Sequence, residues 1–204
     1  MPCIYQHDFF VSYPNMPKEN ILTEFVEELV KTIKFLRTGD KLPEPVYMDK
    51  ERLMPGFRWK PELSRALCHS RAMLAVYTDD YFSRVYCLSE WDAMIDLELK
   101  RLGKPAHSMI IPVLLRAMED NRGEPILPER MRELQYEDFR SILAPKQQFT
   151  SIKVRQKVER LLKRINDLRR QSQDPKVDCD SYEVVIPAAV LPPPQEAFGG
   201  GWAG

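Results

Sequence analysis

The chain has 204 residues and equal numbers of basic and acidic side chains, 30 of each, so its formal net charge is zero. This length allows one domain of ordinary size with a sizeable hydrophobic core, and the balanced charge gives no reason to expect nucleic acid or an anionic membrane as the main partner. The apolar runs are far shorter than the roughly 20 residues of a membrane span, and the N-terminus lacks the basic-then-apolar pattern of a signal peptide, so we expect a soluble, cytoplasmic protein.

The first predicted unit is a strand followed by a helix. Residues 8–13 form an aromatic and β-branched run that stops at Pro14, which is typical of a buried strand that ends in a loop. Between residues 18 and 38 the apolar side chains recur at three- and four-residue spacing, which predicts an amphipathic helix that ends at Gly39.

The next predicted elements surround a charged loop. Residues 45–49 are a second strand candidate, and residues 50–59 form a loop that contains a turn-forming Pro-Gly pair. A short helix is predicted at 60–69, and the continuously apolar run 72–77 is typical of a parallel strand covered on both faces.

The second half of the chain continues the alternation of helices and strands. A helix is predicted at 87–101, a strand with an internal proline near a sheet edge or a bulge at 109–115, and a short fifth strand at 134–139. The apolar stripe of 151–170 predicts a last helix. Its basic outer face is typical of a solvated surface, with partner binding as the alternative.

Proline and glycine dominate the end of the chain. We interpret residues 1–171 as one domain and residues 172–204 as a tail, or as a linker towards a sensor domain. Residues 184–186 are a candidate for a short strand added to a neighbour.

The cysteines and histidines show no metal-binding pattern. The four cysteines are Cys3, Cys68, Cys87 and Cys179, and none belongs to a Cys-x-x-Cys pair. With only three histidines in the chain, we expect no metal site. For a cytosolic chain we expect the thiols to be reduced and unpaired.

Strands that alternate with helices predict an open, mainly parallel sheet of about five strands with helices on both faces, a flavodoxin-like α/β fold. Ligands of such sheets bind beyond the carboxyl ends of the strands. The loop after 72–77 leads into a helix whose expected first turn carries Ser89, Glu90 and Asp92. We therefore expect Glu90 at the mouth of this cleft.

Three stretches, in this order, resemble the TIR domain family. The strand 8–13, which ends in Ser-Tyr, resembles the first box of the family, and the loop 49–59 resembles its second box, the BB loop. Residues 86–90, Tyr-Cys-Leu-Ser-Glu, are similar to the Trp-Cys-x-x-Glu motif of TIR domains that hydrolyse NAD. The arrangement of one such domain and a Pro-rich connection is similar to prokaryotic TIR proteins of antiphage defence.

The resemblance implies a TIR fold, NAD+ as substrate without an added cofactor, and Glu90 as the catalytic residue. It also implies self-association through TIR–TIR contacts, including filaments, and a sensor domain or activating partner. The residues that it places around the substrate are Ser12, Tyr13, Asp49, Arg52, Gly56, Phe57, Trp59, Tyr86 and Cys87. Arg52 and Arg58 are the candidates for contact with the pyrophosphate.

One carboxylate is chemically sufficient for this reaction. The nicotinamide ring leaves NAD+ as a neutral pyridine, so no general acid is required, unlike ordinary glycoside hydrolysis. The carboxylate binds the ribose hydroxyls and stabilises the oxocarbenium-like charge that develops. A position in the first helical turn would favour its ionised form, and the missing Gly-x-Gly-x-x-Gly motif argues against a Rossmann mode of binding.

Several of these candidate site residues also have a purely structural explanation. Acids are common in first helical turns because they satisfy the helix dipole. Cys87 suits a small packed residue better than a nucleophile, and Tyr13 and Trp59 could simply cover the edge of the core. The alternative function is a non-catalytic adaptor whose BB loop and helix faces recruit other TIR domains.

Overall fold

The structure is a computed structural model, and it describes residues 4–14, 21–37, 42, 44–48, 59–103, 108–171 and 176–185. Five parallel strands form one sheet in the order β2-β1-β3-β4-β5. The strands are β1 (His7–Ser12), β2 (Val46–Met48), β3 (Ser70–Tyr77), β4 (Ile110–Leu114) and β5 (Glu137–Asp138). The predicted fold class is confirmed.

Seven helices connect or flank these strands in the described part of the chain. They are α1 (Ile21–Leu36), α2 (Trp59–Cys68), α3 (Asp79–Ser83), α4 (Val85–Leu102), α5 (Glu129–Arg132), α6 (Pro145–Gln148) and α7 (Ile152–Gln171). Helix α1 contacts α6 and α7, whereas α2 contacts α4. Strand β1 is buried along its whole length, which requires helices on both of its faces.

The proline in the fourth strand lies near the edge of the sheet, as predicted. Pro112 is opposite Ala75 of β3 in the register, and its strand β4 is next to the edge strand β5. The edge strand β5 pairs only with Val113 and Leu114. The missing amide of Pro112 therefore costs β5 no hydrogen bond in this register.

A buried carboxylate fastens two helix ends to the sheet. Asp8 of β1 is 1% exposed and accepts two hydrogen bonds from Arg169 of α7, at 3.1 and 2.6 Å. It also forms ion pairs with Arg37, at 2.8 Å, and with Arg71, at 3.6 Å. Buried charges require such partners, so Asp8 holds the C-terminal ends of α1 and α7 near the start of β1.

The prediction for the helix that carries Glu90 was wrong at its start. A short helix, α3, occupies the predicted loop, and α4 begins at Val85, so its first turn contains no acidic residue. Arg84 has an extended backbone and ends α3 while it caps α4. Glu90 therefore lies in the second turn, beyond the first turn to which the effect of the helix dipole is limited.

The prediction that all cysteines are unpaired was also wrong. Cys68 and Cys179 form a disulfide, with an Sγ–Sγ distance of 2.21 Å and a Cα–Cα distance of 5.4 Å, whereas Cys87 is free and buried. The two partners are separated by 111 residues in sequence. Folding of residues 176–185 against the end of α2 brings them together, which sequence spacing could not indicate. Cys3 lies outside the described residues.

The described part of the predicted tail is folded against the domain. Val184 is 1% exposed, and neither Val184 nor Val185 is in a strand, so the predicted strand is absent there. Ile186 and the residues after it lie outside the described part, and the division into 1–171 and 172–204 stays a prediction. No described helix combines the length and the apolar character that crossing a bilayer requires.

Candidate functional site

The centre of the candidate site is the Glu90 carboxylate, which meets the carboxyl end of β1. Ser12, the last residue of β1, donates its hydroxyl proton to Glu90 Oε2 at 2.6 Å. Both residues are 0% exposed. We expected Glu90 at the mouth of a cleft, but its side chain is fully buried on helix α4, which packs on β1 and β3.

Tyr81 of α3 adds a second hydroxyl to this site. Its phenol oxygen is 3.1 Å from Ser12 Oγ and 3.4 Å from the carbonyl oxygen of Cys87. Because the Ser12 proton goes to Glu90, the single proton of the phenol is shared between the carbonyl oxygen of Cys87 and Ser12 Oγ. Burial raises the pKa of Tyr81 well above its ordinary value, so the phenol remains a donor at neutral pH.

The resulting chain of hydrogen bonds runs from Tyr81 through Ser12 to Glu90. The distance of 2.6 Å between Ser12 Oγ and Glu90 Oε2 is in the range of hydroxyl–carboxylate bonds, which are stronger than bonds between neutral groups. Bonds in such a chain also polarise one another. Chemically, the arrangement fixes the position of one carboxylate at the edge of the sheet where ligands bind in open α/β folds.

Helix α3 is positioned by its own N-cap. The Thr78 side chain, directly after β3, accepts a hydrogen bond from the backbone amide of Tyr81 at 3.1 Å. This cap ends β3 and starts the helix within one residue. The Tyr81 phenol is thereby directed at the end of β1.

Tyr77 and Trp91 form an aromatic pair beside helix α4. Trp91 donates from its indole nitrogen to the Tyr77 hydroxyl at 3.2 Å, and burial raises the pKa of Tyr77 to about 12. Arg130 lies 5.2 Å from the ring centre of Trp91 and pairs with Asp92 at 2.5 Å. These contacts fix the outer side of α4 next to Glu90.

The structure brings some of the predicted site residues together. Tyr86 and Cys87 lie on α4 with Glu90, where Tyr86 is half-buried and Cys87 is buried. Tyr13 directly follows β1 and is half-buried against the core. Together with Ser12, these side chains stay candidates for contact with a ligand.

The remaining predicted residues belong to the BB loop. Asp49, Arg52, Gly56 and Phe57 lie outside the described residues, as does Arg58. The backbone of Trp59 begins α2, but its side chain is also outside the described part. Their roles stay predictions.

Sequence reasoning did not identify Tyr81 as part of the site. Its Asp-Asp-Tyr-Phe context is typical of a polar loop, and the helical turn that directs the phenol depends on the Thr78 cap. The available signal was an aromatic residue between a buried strand and the Glu90 motif, which is weak.

A separate cavity of about 320 Å³ lies at the carboxyl ends of β3 and β4. Its charged lining includes Asp79, Arg116 and Arg140, and Glu90 is not among the residues that line it. Asp79 accepts a hydrogen bond from the Met118 amide at 2.7 Å, and Arg140 pairs with Glu119 at 2.7 Å. The charged groups of Asp79 and Arg140 are thus already engaged within the protein.

No group of three or more His, Cys, Asp or Glu side chains in the described ranges could hold a metal ion. The fold and the Glu90 carboxylate define an open α/β domain with a buried glutamate at the carboxyl end of β1. Residues 9–153 match the family model described as TIR domain. The chain belongs to the TIR domain family, which includes NAD-cleaving and scaffolding members.

The solved structures that are similar to this chain include two of TIR domains. One is the TIR domain of the Toll-related receptor TRR-2 from the lower metazoan Hydra magnipapillata, with 18% identity, a TM-score of 0.48, and coverage of 80% of this chain and 98% of that chain. The other comprises the TIR domains of the activated Roq1 resistosome that directly recognises the pathogen effector XopQ. It has 18% identity, a TM-score of 0.45, and coverage of 78% of this chain and 99% of that chain. No curated protein matches the chain.

Proposed function

We propose that this protein is an NAD+ glycohydrolase that cleaves the bond between nicotinamide and ribose. Water attacks the ribose carbon that nicotinamide leaves and loses a proton, which gives nicotinamide and ADP-ribose; attack by a group of the ADP-ribose itself gives a cyclic form instead. The observation that supports the proposal most directly is the Glu90 carboxylate, held by Ser12 at the carboxyl end of β1. Its position agrees with the general location of ligand sites in open α/β sheets.

Glu90 is the catalytic residue in this proposal. As the nicotinamide bond breaks, positive charge develops on the ribose, and a fixed carboxylate stabilises this charge more strongly than it stabilises the ground state. Ser12 and Tyr81 act as positioning residues, because they hold the carboxylate through hydrogen bonds. The leaving group is neutral, so the reaction needs no proton donor.

Access to Glu90 requires a rearrangement. The side chain is 0% exposed, so ribose hydroxyls reach the carboxylate only when neighbouring groups move. Self-association supplies a physical cause for such a movement, since contacts with a second copy stabilise the open arrangement relative to the closed one. We therefore infer that activity rises with protein concentration.

The biological setting is also an inference. We place the protein in the cytoplasm, in prokaryotic immunity against phage, where depletion of NAD+ follows assembly of TIR domains. In this scheme residues 1–171 form the TIR domain, and the chain beyond it connects the domain to a sensor or an activating partner.

The decisive experiment measures nicotinamide released from NAD+ by the full chain at increasing protein concentration and with a crowding agent. We expect release from the wild type and a loss of at least about a hundredfold in Glu90→Gln, because the substitution keeps the shape and removes the charge. Asp92→Asn is the matched control, since Asp92 is an exposed acid on the same helix. Equal release by Glu90→Gln and the wild type, with both proteins folded, would exclude Glu90 from the mechanism.

One observation favours a non-catalytic adaptor instead. A glutamate that is fully buried and bonded to Ser12 is also what a purely structural role would produce. An adaptor would self-associate without nicotinamide release at any concentration. In that case Glu90→Gln would change stability and assembly only.

A further inference from the structure

The C-terminal strap, residues 176–185, crosses two helices that flank the candidate site. Cys179 is bonded to Cys68 at the end of α2, and the Val184 amide donates to the Ser64 hydroxyl of α2 at 2.9 Å. On the other side, Tyr182 donates to the carbonyl oxygen of Ala93 in α4 at 2.9 Å. Helix α2 follows the predicted BB loop, and α4 carries Glu90, so the strap joins the two elements.

In addition to the disulfide, the strap is held by isolated side-chain contacts and by two buried side chains, Cys179 and Val184, and not by strand pairing. It is not part of the sheet, and a cavity of about 190 Å³ separates it in part from α2. Its ion pair between Asp180 and Arg65 is long, at 3.9 Å, and exposed on both sides. Cys179 and Val184 are buried, but the strap has no ladder of backbone hydrogen bonds, so it opens more easily than the sheet and then makes Cys179 accessible to a reductant.

A buried cation lies beside one sulfur of the bond. Arg101 of α4 is 3% exposed, and its guanidinium is 3.8 Å from Cys68 Sγ. The same group donates to the carbonyl oxygens of Ser70, at 3.0 Å, and of Cys68, at 2.5 Å, which fix its position. A positive charge next to a sulfur stabilises the thiolate, and a stabilised thiolate leaves a disulfide faster.

We propose that the Cys68–Cys179 bond is a redox-operated latch that keeps the strap on α2 and α4. A thiolate of a dithiol reductant attacks Cys179 Sγ, and Cys68 leaves as a thiolate beside Arg101. The second thiol of the reductant then displaces Cys179, so the reductant becomes a disulfide and the protein gains two electrons and two protons. The released strap exposes the faces of α2 and α4 that it covers.

This latch is independent of NAD+ chemistry. A reversible bond suits a cytosolic protein, because disulfides in the cytosol are rare and usually transient. In a reducing cytoplasm the strap is released, whereas oxidation closes it. The redox state therefore determines which helix surface is available for contacts with other molecules.

Hydrogen exchange of the full chain tests the latch, with and without dithiothreitol. We expect the Val184 amide to exchange at least about tenfold faster after reduction, because a cross-link of this kind limits opening. Cys179→Ser should show the fast exchange without reductant and no further change with it. The internal control is the Met73 amide of β3, which donates to the carbonyl oxygen of Met109 and should stay protected in both states.

Mapping of glutathione adducts tests the direction of opening. With limiting glutathione and rapid trapping, we expect the mixed disulfide on Cys179 and a free, alkylated Cys68; an adduct mainly on Cys68 would contradict the role of Arg101. Unchanged exchange of Val184 after reduction would overturn the latch, as would alkylation of both cysteines in the denatured protein without reductant. Equal acceleration at Met73 would also overturn it, because the bond would then support the whole domain.

Discussion

Replacing Ser12 by alanine should destabilise the protein through the charge of Glu90. The Ser12 hydroxyl donates to the carboxylate at 2.6 Å in a site with no exposed surface. A hydrogen bond to a charged group contributes about 1.5–3 kcal/mol, against about 0.5–1.5 kcal/mol for a bond between neutral groups. We therefore expect Ser12→Ala to lower the free energy of unfolding by about 1.5–3 kcal/mol.

The structure provides a matched control in the neighbouring strand. Ser70 is equally buried, and its hydroxyl donates to the neutral carbonyl oxygen of Ala66 at 2.7 Å. Ser70→Ala removes the same atoms, so it should cost only about 0.5–1.5 kcal/mol. Urea denaturation of both variants, followed by circular dichroism, measures the difference.

A double-mutant cycle isolates the charge. In the Glu90→Gln background the Ser12 hydroxyl still meets a carbonyl oxygen, but the charge is gone, so Ser12→Ala should cost on the order of 1 kcal/mol less than in the wild type. The reasoning is refuted if Ser12→Ala costs no more than Ser70→Ala and has the same cost in both backgrounds. In that case Ser12 would not be holding a charged Glu90.

Three further predictions concern charges away from the site. Asp8→Asn should lower the free energy of unfolding by about 3–5 kcal/mol in urea denaturation, because it removes the charged partner of Arg37, Arg71 and Arg169, whose side chains are only 11, 14 and 15% exposed. Asp92→Asn, which breaks an exposed ion pair, should cost under about 1 kcal/mol. Burial lowers the pKa of His7 in the folded protein, so the unfolded chain binds a proton at a higher pH than the folded one. The free energy of unfolding should therefore fall as the pH drops below about 6.5. Between about pH 7.5 and 5.5, His7→Gln should lose less of this free energy than the wild type. Burial alone would raise the pKa of Asp138, but its hydrogen bonds with Arg140 lower the pKa below 3.8. The stabilisation that this carboxylate provides is therefore present above that pH and is lost in more acidic solution. Arg140→Gln should make the melting temperature depend less on pH in this acidic range.

The sheet and the long helices were predictable because each depends on a local pattern. A continuous apolar run predicted β3, and spacing of three and four residues predicted α1 and α7. Each pattern reflects whether one face or both faces of an element are buried. Because the pattern extends over many residues, it shows whether the element is a helix or a strand. The family motifs then led to the prediction that the stretches around Ser12 and Glu90 belong to the candidate site.

The errors arose where one contact decides the structure. Helix α3 has five residues, too few for a period, and its start depends on the Thr78 cap. The disulfide depends on the path of a segment with no regular structure, from Cys179 back to α2. Neither contact leaves a repeating pattern in the sequence.

The error at α4 changes the physical account of the candidate site. From the sequence, the helix dipole was expected to favour the charge of Glu90, and this effect is limited to the first turn. Helix α3 takes up the chain before Arg84, so Glu90 lies one turn further along, against β1. A fully buried carboxylate there needs a donor, and Ser12 and Tyr81 provide a connected pair of hydroxyls. Hydroxyl groups from the end of β1 and from the short helix α3 therefore provide the stabilisation of the carboxylate that the sequence analysis had expected from the start of α4.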